Sequence, residues 1–397
     1  MKENGSMNKK KLCIFITRFI AGGAQKVVVE LLSFLDRDKF DIVLIFGRTP
    51  KDEPNLLGYI PEDVETICMD NVVREINPRL DFVAFRELLS IFRKRKFDIL
   101  HLHTSKAGVL GSIAGKYARV PKIVYTPHGH IFHKEAAIPG VSGLSDLKMK
   151  LLYWLRRYAY SCCDALVALS EEDKSEQVAL KLARAEKFIV IMNGINVDCF
   201  AARDEKLKNE AAKKLGLAGY FVIGSIGRLS KEKGHDVLIR AFAMLGSSLE
   251  NARLLIVGEG DERERLCHLA GELGVSGRVV FAGNIEDVRP LLWLMDVFVL
   301  PSRYESQGIA AMEAMSAGMP VLASNVGGVP GIITDKEEGL LVVPDSPRAF
   351  ADALTQLRDD GKMREALGRN ARARAEKSFR VENMISEHEN LYEGTGK

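Results

Sequence analysis

The sequence predicts an α/β protein of two Rossmann-like domains, each built on a mostly parallel sheet. Two observations lead to this prediction: short apolar runs alternate with helical patterns, and the alternation loosens once, near residues 193–215. A chain of 397 residues can form two domains that each bury a core. We assign residues 1–195 and 196–378 to the two domains, expect a cleft between their sheets, and expect residues 379–397 to pack back on the first domain.

The first domain is predicted from apolar runs with strand character and from apolar residues at helical spacing. Its strands are Leu12–Thr17, Asp41–Phe46, Val64–Met69, Ile99–Leu102, Ile123–Thr126, Ala165–Leu169 and Phe188–Ile191. Its helices are Ala24–Leu35, Asp81–Lys96, Ala107–Ala118, Leu147–Tyr160 and Glu171–Leu182.

The second domain follows the charged stretch Ala201–Lys214, which is interpreted as part of the connection. Its predicted strands are Phe221–Ser225, Arg253–Val257, Val279–Phe281, Val297–Leu300 and Val321–Ala323. Its predicted helices are His235–Leu245, Glu262–Leu273, Val288–Trp293, residues 306–318 and Pro347–Leu357. The stretch Gly361–Tyr392 is rich in charged residues at helical spacing and indicates surface helix.

Composition narrows the class of protein. With 56 Lys and Arg against 53 Asp and Glu, the net charge of +3 argues against a nucleic-acid-binding protein. No apolar run is long enough to cross a bilayer as a helix. The six cysteines lack zinc-ligand spacing, which favours reduced thiols and a cytoplasmic protein.

The stretch from Pro301 to Pro330 combines two carboxylates, a helix start and glycine-rich turns. A helix N-terminus just past the carboxyl end of a buried strand favours an anion. Glu305 and Glu313 would lie about 10–12 Å apart if the intervening residues are helical, a separation that suits the two ends of a nucleotide-sugar. A pair of solvated glutamates is the alternative, but Glu313 lies in an apolar run where an unpaired carboxylate is costly.

Other candidate residues follow predicted strands. Gly22 and Gly23 stand where the first strand turns into a helix, so either a plain tight turn or a close backbone approach to a ligand would explain them. Arg228 and Lys233 follow the first strand of the second domain and could neutralise a diphosphate. His101 and His103 share one strand face, where packing is favoured over metal binding because a third ligand is lacking.

Taken in order, these motifs resemble glycosyltransferase family 4, a family of GT-B fold, over nearly the whole chain. The matching residues are Gly22-Gly23-Ala24-Gln25, Pro127-His128-Gly129, Asn193-Gly194-Ile195, GRLSKEKGHDVLIRAF from Gly227 to Phe242, Gly258-Glu259-Gly260, Phe281-Ala282-Gly283, and the pair Glu305 and Glu313. Individually several of these motifs are weak. Their order and separations are specific.

The resemblance implies a transferase that moves a sugar from a nucleotide-diphosphate donor, with UDP the commonest base, to a hydroxyl acceptor with retention and without a metal or cofactor. It places Arg228, Lys233 and the amides of Gln307, Gly308 and Ile309 on the donor phosphates. It places Glu313 on the ribose, with Glu305 and His128 at the sugar. Acceptor contacts are expected from His103, Ser105 and Lys106.

The resemblance leaves the acceptor open. A bacterial surface glycan or lipid-linked acceptor is favoured, and a soluble metabolite is the alternative. A sugar-nucleotide epimerase of the same fold and a non-catalytic carbohydrate-binding relative are the rival classes. The helix Lys148–Ser161 is basic and aromatic. Core packing is the default interpretation, and the alternative is that this helix, with residues 131–145, contacts an anionic surface at the inner face of the cell membrane.

Overall fold

The computed structural model describes residues 9–20, 22–49, 55–129, 146–246 and 250–394. The chain divides into two compact units. Unit 1 consists of Met1–Gly194 together with Val381–Lys397, and unit 2 consists of Ile195–Arg380. Each unit is an α/β layer structure in which helices cover a parallel sheet, as the sequence predicts.

Unit 1 is organised on a seven-stranded sheet with the strand order β3-β2-β1-β4-β5-β6-β7. Every neighbouring pair in it is parallel. The strands are β1 (Lys10–Arg18), β2 (Phe40–Gly47), β3 (Glu65–Met69), β4 (Ile99–His103), β5 (Lys122–Thr126), β6 (Ala165–Ala168) and β7 (Phe188–Val190). The helices between them are α1 (Gly23–Phe34), α2 (Pro78–Arg95), α3 (Ser105–Ala118), α4 (Asp146–Cys162) and α5 (Glu171–Ala179).

The strand order in unit 1 reverses beside β1, so β1 and β4 are adjacent. At such a switch point, loops from neighbouring strands diverge and leave room for a ligand at the carboxyl ends. All five residues of β4 are buried, as expected for a central strand covered on both faces.

Unit 2 has a six-stranded sheet of order β10-β9-β8-β11-β12-β13. The strands are β8 (Phe221–Ile226), β9 (Ala252–Val257), β10 (Val279–Gly283), β11 (Val297–Leu300), β12 (Val321–Ser324) and β13 (Gly339–Val342). The helices are α6 (Val197–Ala201), α7 (Glu205–Leu215), α8 (His235–Met244), α9 (Arg263–Glu272), α10 (Arg289–Leu294), α11 (Ile309–Ser316), α12 (Val329–Ile332), α13 (Pro347–Asp359) and α14 (Gly361–Ser378). Strand β13 and helices α6 and α12 were not predicted from the sequence.

The charged stretch 201–214 is not a plain connection. Asp204 caps α7 by accepting hydrogen bonds from the N–H groups of Lys206 and Leu207, and Gly216 ends the helix in the left-handed region at φ +66°. The sequence contains both capping residues, Asp204 and Gly216, but the high charge of the stretch had favoured its interpretation as a connection.

The predicted surface helix over Gly361–Tyr392 is two helices, α14 and α15 (Val381–Glu393). Helix α15 belongs to unit 1 and buries six side chains there, namely Val381, Met384, Ile385, His388, Leu391 and Tyr392. Tyr392 packs edge-on against Phe40 of β2, with ring centroids 5.6 Å apart. Unit 1 is therefore completed by a helix that lies beyond unit 2 in the sequence.

Two predictions from composition can be compared with the described residues. None of the described helices is both long and apolar enough to span a membrane. All six cysteines are free thiols, and burial raises the pKa of the Cys13 and Cys163 thiols.

Candidate active site

The loop between β11 and α11 holds the Glu305 carboxylate inside unit 2. Its Oε1 atom accepts a hydrogen bond from Lys233 Nζ at 2.5 Å and another from Ser302 Oγ at 2.9 Å. The Glu305 side chain is 9% exposed and that of Lys233 is 27% exposed. The two candidate residues, 72 positions apart in sequence, thus form one charged pair at the carboxyl edge of the sheet.

The backbone of Glu305 is held from its other side by the turn after β12. Gly328 N–H donates to Glu305 O at 3.1 Å. Gly327 has φ +50°, and a Cβ atom there would lie 2.0 Å from the same oxygen. Only glycine fits this close approach without a shift of the backbone.

Helix α11 begins at Ile309, later than the sequence indicated, because Gly308 takes the left-handed value φ +89° and is not helical. The distance based on a continuous helix from Glu305 to Glu313 therefore does not apply. The first N–H groups of a helix have no partner inside the helix, so the start of α11 beside Gln307 and Gly308 offers donors to an anion. Glu313 is buried in α11 at 3% exposure.

Glycines bring three loops of unit 2 together beside this helix start. A Cβ atom at Gly234 would lie 2.0 Å from Pro301 O, and one at Gly258 would lie 2.0 Å from Gly227 O. The predicted cation Arg228 is exposed on one of these loops. Among the described residues, its guanidinium makes no hydrogen bond or ion pair.

Arg303 fixes the loop that carries Glu305, and no sequence motif had pointed to this residue. It forms a bidentate pair with Asp236, both N–H···O distances being 3.0 Å, and a third bond to Asp345 at 2.7 Å. Burial alone would raise the pKa of Asp236, but the hydrogen bonds and charge of Arg303 lower it. Arg303 lies only two positions before Glu305 in the PSRYE segment, but its partners Asp236 and Asp345 are distant in sequence.

The second group of predicted residues lies in unit 1, at the carboxyl ends of adjacent strands. Gly22 and Gly23 begin α1 after β1, with Gly22 in extended conformation at φ −179°. His103 ends β4, and His128 follows β5 in the left-handed region at φ +54°. A histidine in that region is uncommon, and such backbone outliers occur preferentially at functional sites.

His103 and His128 are hydrogen-bonded through Nδ1 and Nε2 at 2.8 Å, and His103 is fully buried. His101 bonds to Tyr392 Oη at 2.6 Å and to Thr126 Oγ1 at 2.8 Å. Burial lowers the pKa of His128 to about 3 and that of His103 well below 6.5. Burial also lowers the pKa of His101 well below 6.5, so all three rings are neutral at pH 7 and His128 is a hydrogen-bonding group rather than a cation.

The predicted acceptor residues differ in their surroundings. Ser105 and Lys106 open α3 and are partly buried. Lys106 Nζ is 2.6 Å from Asp81 Oδ1 and also donates to Glu75 O. His103 contributes to the site through His128. The structure thus gathers Lys233, Glu305 and Gln307–Ile309 in unit 2 and His103 with His128 in unit 1.

Two family profiles together match most of the chain. The family described as "Glycosyltransferase Family 4" matches residues 21–199, and the one described as "Glycosyl transferases group 1" matches residues 208–374. Both halves of the chain therefore resemble glycosyltransferases.

Two curated relatives align along most of their own length. The chain is 29% identical over 380 residues to UDP-Gal:alpha-D-GlcNAc-diphosphoundecaprenol alpha-1,3-galactosyltransferase of Escherichia coli, covering 94% of both chains. It is 31% identical over 311 residues to glycosyltransferase MJ1607 of Methanocaldococcus jannaschii, covering 77% of both.

Among solved structures, the Anabaena protein Alr3699/HepE in complex with UDP-glucose is similar at a TM-score of 0.79 and 23% identity. The match covers 96% of this chain and 99% of that one. At this identity the likeness shows a shared fold.

Proposed function

The chain belongs to glycosyltransferase family 4 and has the GT-B fold, and from this we propose that it transfers a sugar from a UDP-sugar to a hydroxyl acceptor with retention of configuration. The observation that carries the proposal is the Lys233–Glu305 pair beside the start of α11. The pair and the helix start place a cation, a carboxylate and backbone N–H donors at one edge of the sheet. The phosphates and hydroxyls of a sugar diphosphate are complementary to these groups.

In this proposal the donor lies along the loop and helix from Glu305 to Glu313. Arg228, Lys233 and the N–H groups of Gln307, Gly308 and Ile309 bind the diphosphate. Glu305 accepts hydrogen bonds from the sugar hydroxyls, and Glu313 does so from the ribose. Gly22 and Gly23 allow the backbone of unit 1 to approach the donor, and the neutral ring of His128 contacts its sugar.

The reaction is a same-face substitution. The bond between the anomeric carbon and the phosphate oxygen breaks, and the acceptor oxygen bonds to that carbon on the same face. The acceptor proton passes to an oxygen of the leaving diphosphate. Arg228, Lys233 and the start of α11 stabilise the charge that grows on this leaving group, so we propose that no metal ion or cofactor is needed.

The acceptor is proposed to be a lipid-linked or surface glycan, with Ser105, Lys106 and His103 near its hydroxyl. The name of the E. coli relative contains both UDP-galactose and a diphosphoundecaprenol-linked sugar, which supports this choice of donor and acceptor. The protein would then be cytoplasmic and act at the inner face of the membrane. A soluble metabolite acceptor is the second candidate, in which case transfer would need no lipid.

A donor screen tests the proposal. Hydrolysis and thermal shift are measured with UDP-, GDP- and ADP-sugars, with and without EDTA, and the anomer of the transfer product is read by NMR. We expect a response to UDP-sugars that EDTA does not change, and an α-linked product from an α-linked donor. An epimer formed from the donor alone would instead show a sugar-nucleotide epimerase.

Variants connect the activity to the cations. Arg228→Met and Lys233→Met should each lower turnover by about 10²-fold, because each cation supplies a few kcal/mol to the transition state. Arg240→Met and Lys231→Met are matched controls, since both residues are exposed on nearby parts of unit 2. Turnover near the wild-type value in Arg228→Met and Lys233→Met would refute their role.

A further inference from the structure

Helix α4 exposes a row of large apolar side chains, whereas a helix face in contact with water usually carries polar ones. Leu147 is 77% exposed, Leu151 67%, Trp154 60% and Tyr158 47%. Successive residues of an α-helix are 100° apart, so these four side chains fall within an arc of about 60°. We call them the α4 stripe. A contiguous exposed apolar surface of this kind marks a binding face.

The polar residues of α4 are arranged around the stripe. Lys150 and Arg157 project along one side of it and Lys148 along the other, and all three are exposed. Arg157 lies over the Trp154 ring, 5.4 Å from its centroid. Arg156, which the sequence analysis placed in the basic helix, points to the opposite side.

Arg156 therefore does not contribute to this surface. It is 1% exposed and donates to Tyr160 Oη at 2.9 and 3.1 Å. The default expectation of core packing thus holds for that side of α4. Residues 131–145, which the sequence analysis joined to this surface, lie outside the described residues.

A basic cavity of about 490 Å³ adjoins the stripe at the end of α3. It is lined by Arg93, Lys116, Tyr117, Ala118 and Arg119. Tyr117 is 56% exposed at the end of α3, which packs against α4, and it neighbours Tyr158 of the stripe. The apolar row and the cations are thus one continuous surface formed by α2, α3 and α4.

The charge of this surface is one-sided. Helix α3 contains no acidic residue, Asp146 is the single one in α4, and the two acidic residues of α2, Asp81 and Glu87, precede Arg93 by six residues or more. Cations near helix C-termini are often explained by the helix dipole, but that explanation does not cover the apolar row beside them. A basic face with Trp, Tyr and Leu at its centre is typical of helices that lie in a membrane interface.

We propose that the α4 stripe and the adjoining cations of α2 and α3 dock on an anionic phospholipid bilayer. The apolar side chains enter the headgroup region, and Arg93, Lys116 and Arg119 meet lipid phosphates. A second copy of this chain is a poorer occupant, because a two-fold contact would set these cations against each other. The inference deepens the proposed function by naming the surface that meets the membrane.

The test is co-sedimentation of the full chain with vesicles of phosphatidylcholine alone or mixed with phosphatidylglycerol. The double variant Leu151→Glu/Trp154→Glu should bind mixed vesicles at least about tenfold more weakly than the wild type. Its matched control is Met244→Glu/Val343→Glu, which changes two exposed apolar residues of unit 2. The triple variant Arg93→Glu/Lys116→Glu/Arg119→Glu should lose the preference for mixed vesicles, and the control Lys206→Glu/Lys213→Glu/Lys362→Glu should keep it.

Three results would overturn the proposal. These are no binding of the wild type to mixed vesicles, binding of the stripe and cation variants at the level of their controls, and conversion of a dimer to a monomer by the stripe substitutions while no vesicle is bound. Hydrolysis of UDP-sugars in solution is measured in parallel and should be unchanged in these variants. If the wild type does not hydrolyse UDP-sugars, the proposed function is contradicted. Binding of the wild type to vesicles would still test the docking surface independently.

Discussion

Removing the ammonium of Lys233 should destabilise unit 2 through Glu305. Breaking a fully buried ion pair from one side costs about 3–5 kcal/mol, whereas an exposed pair contributes about 0–1 kcal/mol. Here the carboxylate is 9% exposed and the ammonium 27%, and Ser302 still donates after the change. We expect Lys233→Met to lower the free energy of unfolding by about 2–3 kcal/mol.

The reverse change should cost less. In Glu305→Gln the remaining Lys233 ammonium can turn to water, so a loss of about 1 kcal/mol is expected. The double variant removes both charges, and its loss should be smaller than the sum of the single losses by about 1–2 kcal/mol. Urea denaturation of the four proteins gives this coupling energy, with Lys231→Met as the control for the loss of a nearby exposed lysine.

Additive losses would contradict this reasoning, because they would mean that the two charges do not interact in solution. A loss within 0.5 kcal/mol for Lys233→Met would also contradict it, since surface substitutions fall in that range of about ±0.5 kcal/mol.

Further predictions concern the donor site and the buried histidines. Glu313→Gln should mainly raise the KM for the donor, whereas Glu305→Gln should mainly cut kcat; steady-state kinetics showing the opposite split would reverse the two roles. Gly327→Ala should lower the free energy of unfolding by about 2–5 kcal/mol, because the new Cβ atom clashes with the backbone and the residue keeps a left-handed φ. The control Gly246→Ala has φ +53° and open space around it, so it should cost about 1 kcal/mol. Equal urea midpoints for the two variants would rule out the clash. Burial lowers the pKa of His388 to about 4, so the unfolded chain binds more protons than the folded one at acidic pH. The free energy of unfolding should therefore fall by about 1.4 kcal/mol per pH unit for this histidine as the pH drops from 6.5 to 4, and the slope should be shallower in His388→Gln.

Much of the fold could be predicted from the sequence because strands in a sheet covered on both faces are continuous apolar runs. The strand Val297–Leu300 was predicted with its observed bounds. Strand β13 was missed because it is short, begins with a glycine and lies at the sheet edge. The order of strands could not be derived from local patterns, since it depends on contacts between distant parts of the chain.

For the site, sequence patterns found residues but not their partners. Glu305 and Lys233 were assigned to the same ligand, yet their direct pairing needs the close approach of two loops at Gly234 and Pro301. His103 was expected to contact the acceptor, and sequence patterns did not indicate that it is buried and hydrogen-bonded to His128. Such details follow from three-dimensional packing, and spacing along the chain does not contain them.

Helix α15 imposes an order of events on the synthesis of this protein. Tyr392 bonds to His101 in the middle of unit 1, and Glu389 pairs with Lys39 at 3.2 Å. A ribosome makes β1 to β7 first, then the whole of unit 2, and only afterwards the helix that covers those residues. Phe40 and His101 therefore lack these contacts while the 186 residues of unit 2, 195–380, are added, a period in which chaperones can bind the exposed apolar surface.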